Sequence, residues 1–193
     1  MEALIAILAG GRGERVGGEK ASVDLGGRSL IHHPISAAVE TGAPVRVFAK
    51  EETALPPLEV PIFREPSVPQ HPLTGVVSAL EAADGAPVLV VAGDLPFVTP
   101  DLLAWLASRP ESLVIPQLGD RLHPLLGRYG AELTGALRAA RDHEAPMQET
   151  VRKLGPRLVG KAELGRFGDP ARLLFNVNTA EDLAEAERLL RAG

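Results

Sequence analysis

Residues 4 to 20 carry the most chemically suggestive spacing in the chain. Leu4-Ile5-Ala6-Ile7-Leu8-Ala9 runs into Gly10-Gly11-Arg12-Gly13-Glu14-Arg15-Val16-Gly17-Gly18-Glu19-Lys20. An unbroken apolar run of strand length, closed by two glycines, reads as a buried strand feeding a loop whose backbone can come close to a ligand. Arg12, Arg15 and Lys20 add cations to the N–H groups of that loop, a combination suited to the oxygens of a triphosphate. Two better-known glycine patterns do not fit. A dinucleotide fingerprint starting at Gly11-x-Gly13 needs a third glycine where Val16 stands. A Walker-type loop on Gly13 and Gly18 needs Lys and a hydroxyl next, but the chain has Glu19-Lys20 and so lacks the usual magnesium ligand.

A second apolar run, Pro87 to Ala92, ends in Gly93-Asp94. In an open parallel sheet, ligands bind beyond the carboxyl ends of the strands. The glycine loop and Asp94 would then share one edge, which points to magnesium held by Asp94 together with phosphate oxygens. The only two asparagines, Asn176 and Asn178, fall in a segment read as extended, Leu173 to Val177 and onward. Residues two apart in such a segment face the same way, about 7 Å apart, and paired carboxamides can grip a polar heterocycle or a phosphate. An Asx turn before a helix at Thr179 is the alternative. His123-Pro124 reads as the border of a second substrate or as the mere start of a strand, and Trp105 and Tyr129 as core or helix-face residues.

The elements that must position these groups alternate along the chain. After the first strand comes a helix capped by Ser29 and running through Val39, with a start nearer His33 as the variant that Pro34 allows. Val45 to Ala49 is a second strand and Val60 to Phe63 a third, its prolines marking an edge. A helix over Thr74 to Ala83 precedes the Asp94 strand. Thr99-Pro100-Asp101 then combines an N-cap hydroxyl, a first-turn proline and an acid, opening a helix to about Ser108. Strands at Leu113 to Pro116 and Leu125 to Tyr129, helices at Ala131 to Asp142 and Gln148 to Leu154, a strand at Arg157 to Val159 and an amphipathic helix from Thr179 complete the pattern. Alternation without a linker or internal repeat implies one α/β domain over residues 1–193.

Composition narrows the function. The net charge is −5 over 193 residues, and no local Lys/Arg cluster reverses it, which argues against a nucleic-acid partner. No apolar run reaches the roughly 20 residues of a membrane span, and no basic leader precedes the first strand, so a cytoplasmic, membrane-free protein is expected. With no cysteine, thiolate nucleophiles and Cys-ligated zinc are excluded. The histidines offer no i, i+4 pair for a metal.

Leu8-Ala9-Gly10-Gly11 and Arg15-Val16-Gly17-Gly18-Glu19-Lys20-Ala21 resemble the signature loop of the nucleotidyltransferases that include molybdenum cofactor guanylyltransferase. Gly93-Asp94-Leu95-Pro96-Phe97, His123-Pro124-Leu125 and Phe175-Asn176-Val177-Asn178-Thr179-Ala180-Glu181-Asp182-Leu183 resemble that family's later motifs in order and spacing. The resemblance implies a three-layer, mostly parallel, Rossmann-like sheet of the nucleotide-diphospho-sugar transferase type. It implies transfer of GMP from GTP to molybdenum-loaded molybdopterin with release of pyrophosphate, magnesium as cofactor, and contact with other proteins of molybdenum cofactor biosynthesis. It also implies roles: Lys20, Arg15 and Asp94 in catalysis, with Asp94 on the metal; Leu8, Ala9, Gly10, Gly11, Lys20, Glu65 and Asp94 around the nucleotide; Asn176 and Asn178 at the acceptor. Glu65 stands where relatives usually carry Asp, and Phe48-Ala49-Lys50 lacks a polar residue often found there. Gly10 favours guanine over the cytidylyl relatives, and Asn176-Val177-Asn178-Thr179 separates the chain from sugar-phosphate relatives. A non-catalytic nucleotide-binding adaptor would be expected to have lost Asp94 or Lys20.

Overall fold

The computed structural model describes residues 2–10, 20–65 and 68–192. In chain order the main elements are β1 (Leu4–Ala9), the short strands β2 (Asp24–Leu25) and β3 (Arg28–Ser29), α1 (His32–Glu40), β4 (Val45–Lys50), β5 (Ile62–Glu65), α2 (Pro72–Ala82) and β6 (Val88–Ala92). They continue as α3 (Pro100–Ala107), β7 (Leu113–Leu118), β8 (Arg121–Leu122), β9 (Leu126–Tyr129), α4 (Thr134–Asp142), α5 (Met147–Lys153), β10 (Arg157–Val159), α6 (Lys161–Leu164), α7 (Pro170–Leu173) and α8 (Ala180–Ala192).

Among the described residues one sheet runs β10-β7-β9-β6-β1-β4-β5, with β8 hydrogen-bonded to β7. β1 is parallel to both β4 and β6, and β4 to β5, whereas β9 is antiparallel to β6 and β7. β1 sits centrally because it has no polar face to offer solvent. Ile5 and Ile7 point into one apolar layer with Ile35, Leu102 and Leu106, while Leu4 and Ala6 point into the opposite layer with Val76, Leu80 and Leu137. Helices therefore cover both faces, and each fully buried aliphatic side chain contributes about 1.5–3 kcal/mol. The chain leaves β1 through α1 toward β4 and β5, then returns through α2 to β6 on the other side of β1. That reversal makes the β1/β6 edge the switch point where such sheets bind ligands.

Two sequence expectations are corrected. Ser29 caps no helix: Gly26 and Gly27, both at positive φ, turn Asp24–Leu25 back onto Arg28–Ser29, and α1 begins at His32 with Pro34 in its first turn. Leu173 to Val177 is not a strand. Asp169 accepts a hydrogen bond from the Ala171 N–H and Pro170 occupies the first helical position, so the chain makes the short helix α7 and then runs irregularly to α8. The short elements β8 and α6 have no counterpart in the sequence pattern. Tyr129 is a core residue, fully buried with its hydroxyl donating to the Pro124 carbonyl at 2.7 Å.

His123 lies between β8 and β9, its N–H donating to the Pro116 carbonyl at 2.9 Å. Burial, aided by the Arg121 charge, lowers its pKa from 6.5 to about 4. The unfolded chain thus takes up this proton near pH 6.5 while the folded protein resists to about pH 4, so stability falls as pH drops through that window. The loss is on the order of 3 kcal/mol at most, less whatever partial hydration of the ring recovers. Urea titrations at pH 7 and pH 4.5 should show a smaller pH-dependent loss in His123→Gln than in the parent. Equal losses would remove His123 from the acid sensitivity.

Candidate active site

A cavity of about 770 Å³ opens at the carboxyl ends of β1, β4, β5 and β6. That volume suits a small-molecule site. Leu8, Ala9, Gly10, Lys20, Glu65 and Asp94 all line it. Across the sheet edge from β6 to β5 there are three strand spacings, roughly 14 Å in all. Gly10, Lys20, Gly93 and Asp94 lie toward the β1/β6 side, and Lys50 and Glu65 toward the β4/β5 side.

Asp94 is aimed by the end of β6. The Gly93 N–H donates to the Leu8 carbonyl at 3.0 Å, and a Cβ at Gly93 would come within 3.2 Å of that same oxygen. A side chain there would press on the β1 backbone by a few tenths of an ångström, so glycine suits this close turn after β6. Lys20 begins a single 3₁₀ turn over Lys20–Ser22 and comes back to meet Asp94. The Lys20 ammonium forms a close ion pair with one carboxylate oxygen of Asp94 and donates to Asn178 Oδ1 at 2.8 Å. The other Asp94 oxygen accepts from Asn176 Nδ2 at 2.7 Å. With Lys20 and Asp94 side chains only 13% and 17% exposed, this pair is far better shielded than a surface salt bridge.

Toward β5, Lys50 and Glu65 are register partners. Their side chains pair at 3.3 Å, and Glu65 is almost fully buried. Burial pushes the Glu65 carboxyl up and the Lys50 charge opposes that shift. A Cβ on Gly75 of α2 would crowd the Leu8 methyls at 3.0 Å and Glu65 Oε1 at 3.3 Å, so glycine there keeps room for the carboxylate.

Among the described residues, the expected ones therefore gather, with one change of grouping. Asn176 and Asn178 do face the same way, and both reach the Lys20–Asp94 pair. Neither is spent on an Asx turn: Thr179 and Asp182 cap α8 reciprocally, with Asp182 Oδ2 accepting from the Asn178 and Thr179 N–H groups and Thr179 Oγ1 from the Asp182 N–H. Gly11 and Arg15 lie outside the described residues. Sequence reasoning misses Lys50 as the partner of Glu65, and also His71, which caps α2 while lining the cavity. The only signal for Lys50 is its place at the end of an apolar strand; His71 precedes Pro72, a cap-then-proline pattern.

Residues 5–159 match the family model of the MobA-like NTP transferase domain. The chain belongs to this family. Among relatives of this nucleotidyltransferase, a molybdenum cofactor guanylyltransferase of Cereibacter sphaeroides is 36% identical, over 96% of this chain and 95% of that one. Another, from Rhizobium leguminosarum bv. trifolii (strain WSM2304), is 33% identical over 96% of this chain and 92% of its own. Among solved structures, molybdopterin-guanine dinucleotide biosynthesis protein A from Archaeoglobus fulgidus superposes with a TM-score of 0.83 at 24% identity, covering 98% of this chain and all of that one. The 2-C-methyl-D-erythritol 4-phosphate cytidylyltransferase of Thermus thermophilus superposes with a TM-score of 0.70 at 24% identity, over 99% of this chain and 100% of that one. These likenesses confirm a three-layer nucleotidyltransferase fold. Among the described residues, no helix is long and apolar enough to cross a membrane, and no cluster of three or more His, Asp or Glu could hold a metal by itself.

Proposed function

We propose that this nucleotidyltransferase moves GMP from GTP to molybdenum-loaded molybdopterin and releases pyrophosphate. The observation that carries the reading is one cavity with the glycine-loop strand, Lys20 and Asp94 on one side and buried Glu65 on the other, in a chain 36% identical to a named guanylyltransferase. In this reading the triphosphate lies along Leu8, Ala9, Gly10 and Gly11 toward Lys20 and Asp94. The base extends to Glu65, whose carboxylate accepts from the ring N–H and amino group of guanine.

Magnesium fits the groups present. Lys20 Nζ already rests between the Asp94 carboxylate and the Asn178 carbonyl, so two hard oxygen donors converge on a cationic position. Such an oxygen-rich position suits a magnesium ion, which Asp94 would hold together with phosphate oxygens. When bound, the ion would neutralise charge on the reacting phosphates.

The chain's own groups do the rest. A terminal phosphate oxygen of the acceptor attacks the α-phosphorus in line, forming one P–O bond as the bond to pyrophosphate breaks. A phosphate monoester is largely ionised at pH 7, with a second pKa near about 6, so no side chain need remove a proton. Lys20, and Arg15 from the glycine loop, would meet the charge that gathers on the departing pyrophosphate. Asn176 and Asn178 would border the acceptor, delivered by another protein of molybdenum cofactor biosynthesis.

Calorimetry with GTP, ATP, CTP and UTP, each with magnesium, tests the nucleotide half of the reading. GTP should bind at least about tenfold more tightly than the others, the ratio set by about 1.4 kcal/mol when a buried acceptor loses its donor. Equal binding, or a preference for CTP, would overturn it.

A further inference from the structure

The segment between Phe175 and Thr179 ties together the three stretches that carry Lys20, Asp94 and the asparagines. Val177, fully buried, packs with Leu25 and Leu30 from the hairpin that follows Lys20, Phe97 from the loop that follows Asp94, and Ala186 of α8. Its N–H donates to the Asp94 carbonyl at 3.0 Å, so the segment is fastened at Asp94 by backbone as well as by side chains. With Val177 as the anchor, the carboxamides on either side of it turn back over the ion pair: Asn176 to the carboxylate at 2.7 Å, Asn178 to the ammonium at 2.8 Å.

Each carboxamide supplies what its partner needs. By donating to one carboxylate oxygen, Asn176 fixes the plane of the Asp94 carboxyl and leaves the second oxygen directed at the cation. Asn178 gives Lys20 a second acceptor that is neutral, so the ammonium is held in place without a second negative charge beside Asp94. A carboxylate there would retain the lysine more strongly and oppose its transfer to phosphate.

We propose that Asn176 and Asn178 are positioning residues for the metal-binding carboxylate and its lysine, in addition to bordering the acceptor. This rests on the reading that Asp94 takes a divalent cation together with GTP. Partners one shell out from a metal ligand set its orientation, and losing one typically weakens metal affinity or activity by about 10–100-fold.

The test is a Mn²⁺ titration of the whole chain followed by electron paramagnetic resonance, with saturating GTP and no acceptor. The parent should bind Mn²⁺ in a GTP-dependent way. Asn176→Ala should weaken that binding by about 10–100-fold while melting like the parent. If the alanine variant does not fold, Asn176→Leu keeps the volume without the donor and should show the same loss. In steady state, Asn178→Ala should lower kcat in addition to any rise in acceptor KM. Mn²⁺ affinity within about threefold of the parent, together with a raised acceptor KM at unchanged kcat, would assign the pair to the acceptor alone and overturn the proposal. A parent that binds no Mn²⁺ with GTP would instead overturn the metal reading beneath it.

Discussion

Asp94→Asn is expected to slow guanylyl transfer by about 10³-fold or more while leaving the fold in place. The substitution keeps the volume and one oxygen but removes the charge that would hold magnesium, and a metal worth several kcal/mol to a transition state converts to about tenfold per 1.4 kcal/mol. The structural cost is small by comparison. Lys20 keeps Asn178 as an acceptor, but the pair is shielded, so the change in stability should fall between that of a surface pair and a fully buried one, about 1–3 kcal/mol. For a chain of this size each kcal/mol is a drop of roughly 2–4 °C in Tm. Single-turnover rates and calorimetric melting on one preparation separate the two effects. Turnover within about tenfold of the parent would sink the metal role.

Lys20→Ala should produce the second large effect, and its signature lies in how the loss divides between kcat and KM. In the structure the ammonium is occupied by Asp94 and Asn178. To assist catalysis it must exchange those oxygens for phosphate oxygens, and that exchange gains most when charge builds on the departing pyrophosphate. Contacts made only in the transition state raise kcat, whereas contacts made equally in the ground state lower KM. We therefore expect kcat to fall by about 10²–10³-fold, the usual scale for one electrostatic group at a reacting centre, with the KM for GTP changed less than about tenfold. Unchanged kcat with a raised KM would reduce Lys20 to a binding residue.

The parts legible in the sequence are those where one strong physical demand controls a local stretch. β1 and β6 are buried on both faces, so they read as continuous apolar runs and reveal the two ends that carry Gly10 and Asp94. Thr99-Pro100-Asp101 marks α3 because cap, fixed φ and dipole act on three consecutive residues. Leu173-Leu174-Phe175 reads as a strand, wrongly, because it feeds two layers. Leu173 and Leu174 pack into the main core and Phe175 against the small cluster around Val177, so burial gives the segment apolar character without a strand partner. Asn176 and Asn178 nonetheless reach the same ion pair, one on each partner, as their spacing predicts.

The hairpin before α1 is legible only as a short extended piece and turn over Ala21 to Arg28, for a different reason. Its strands are two residues long, too short for alternation to show, and the Gly26-Gly27 turn is its only mark. The ion pairs are illegible altogether. Lys20 meets Asp94 across 74 positions, and Lys50 meets Glu65 through the register of β4 on β5. Spacing along the chain carries no trace of either contact, and only the strand order brings the partners together.

The central claim is most directly tested by following the α-phosphate of GTP. The purified chain, with magnesium and molybdenum-loaded molybdopterin, is given each of the four ribonucleoside triphosphates labelled at the α-position, and products are separated and weighed by mass spectrometry. The account predicts label from GTP in a pterin–guanine dinucleotide, one pyrophosphate released per dinucleotide, and no product when Asp94 is Asn. Label transferred from CTP in preference to GTP, or pyrophosphate released without an acceptor-dependent product, would contradict it.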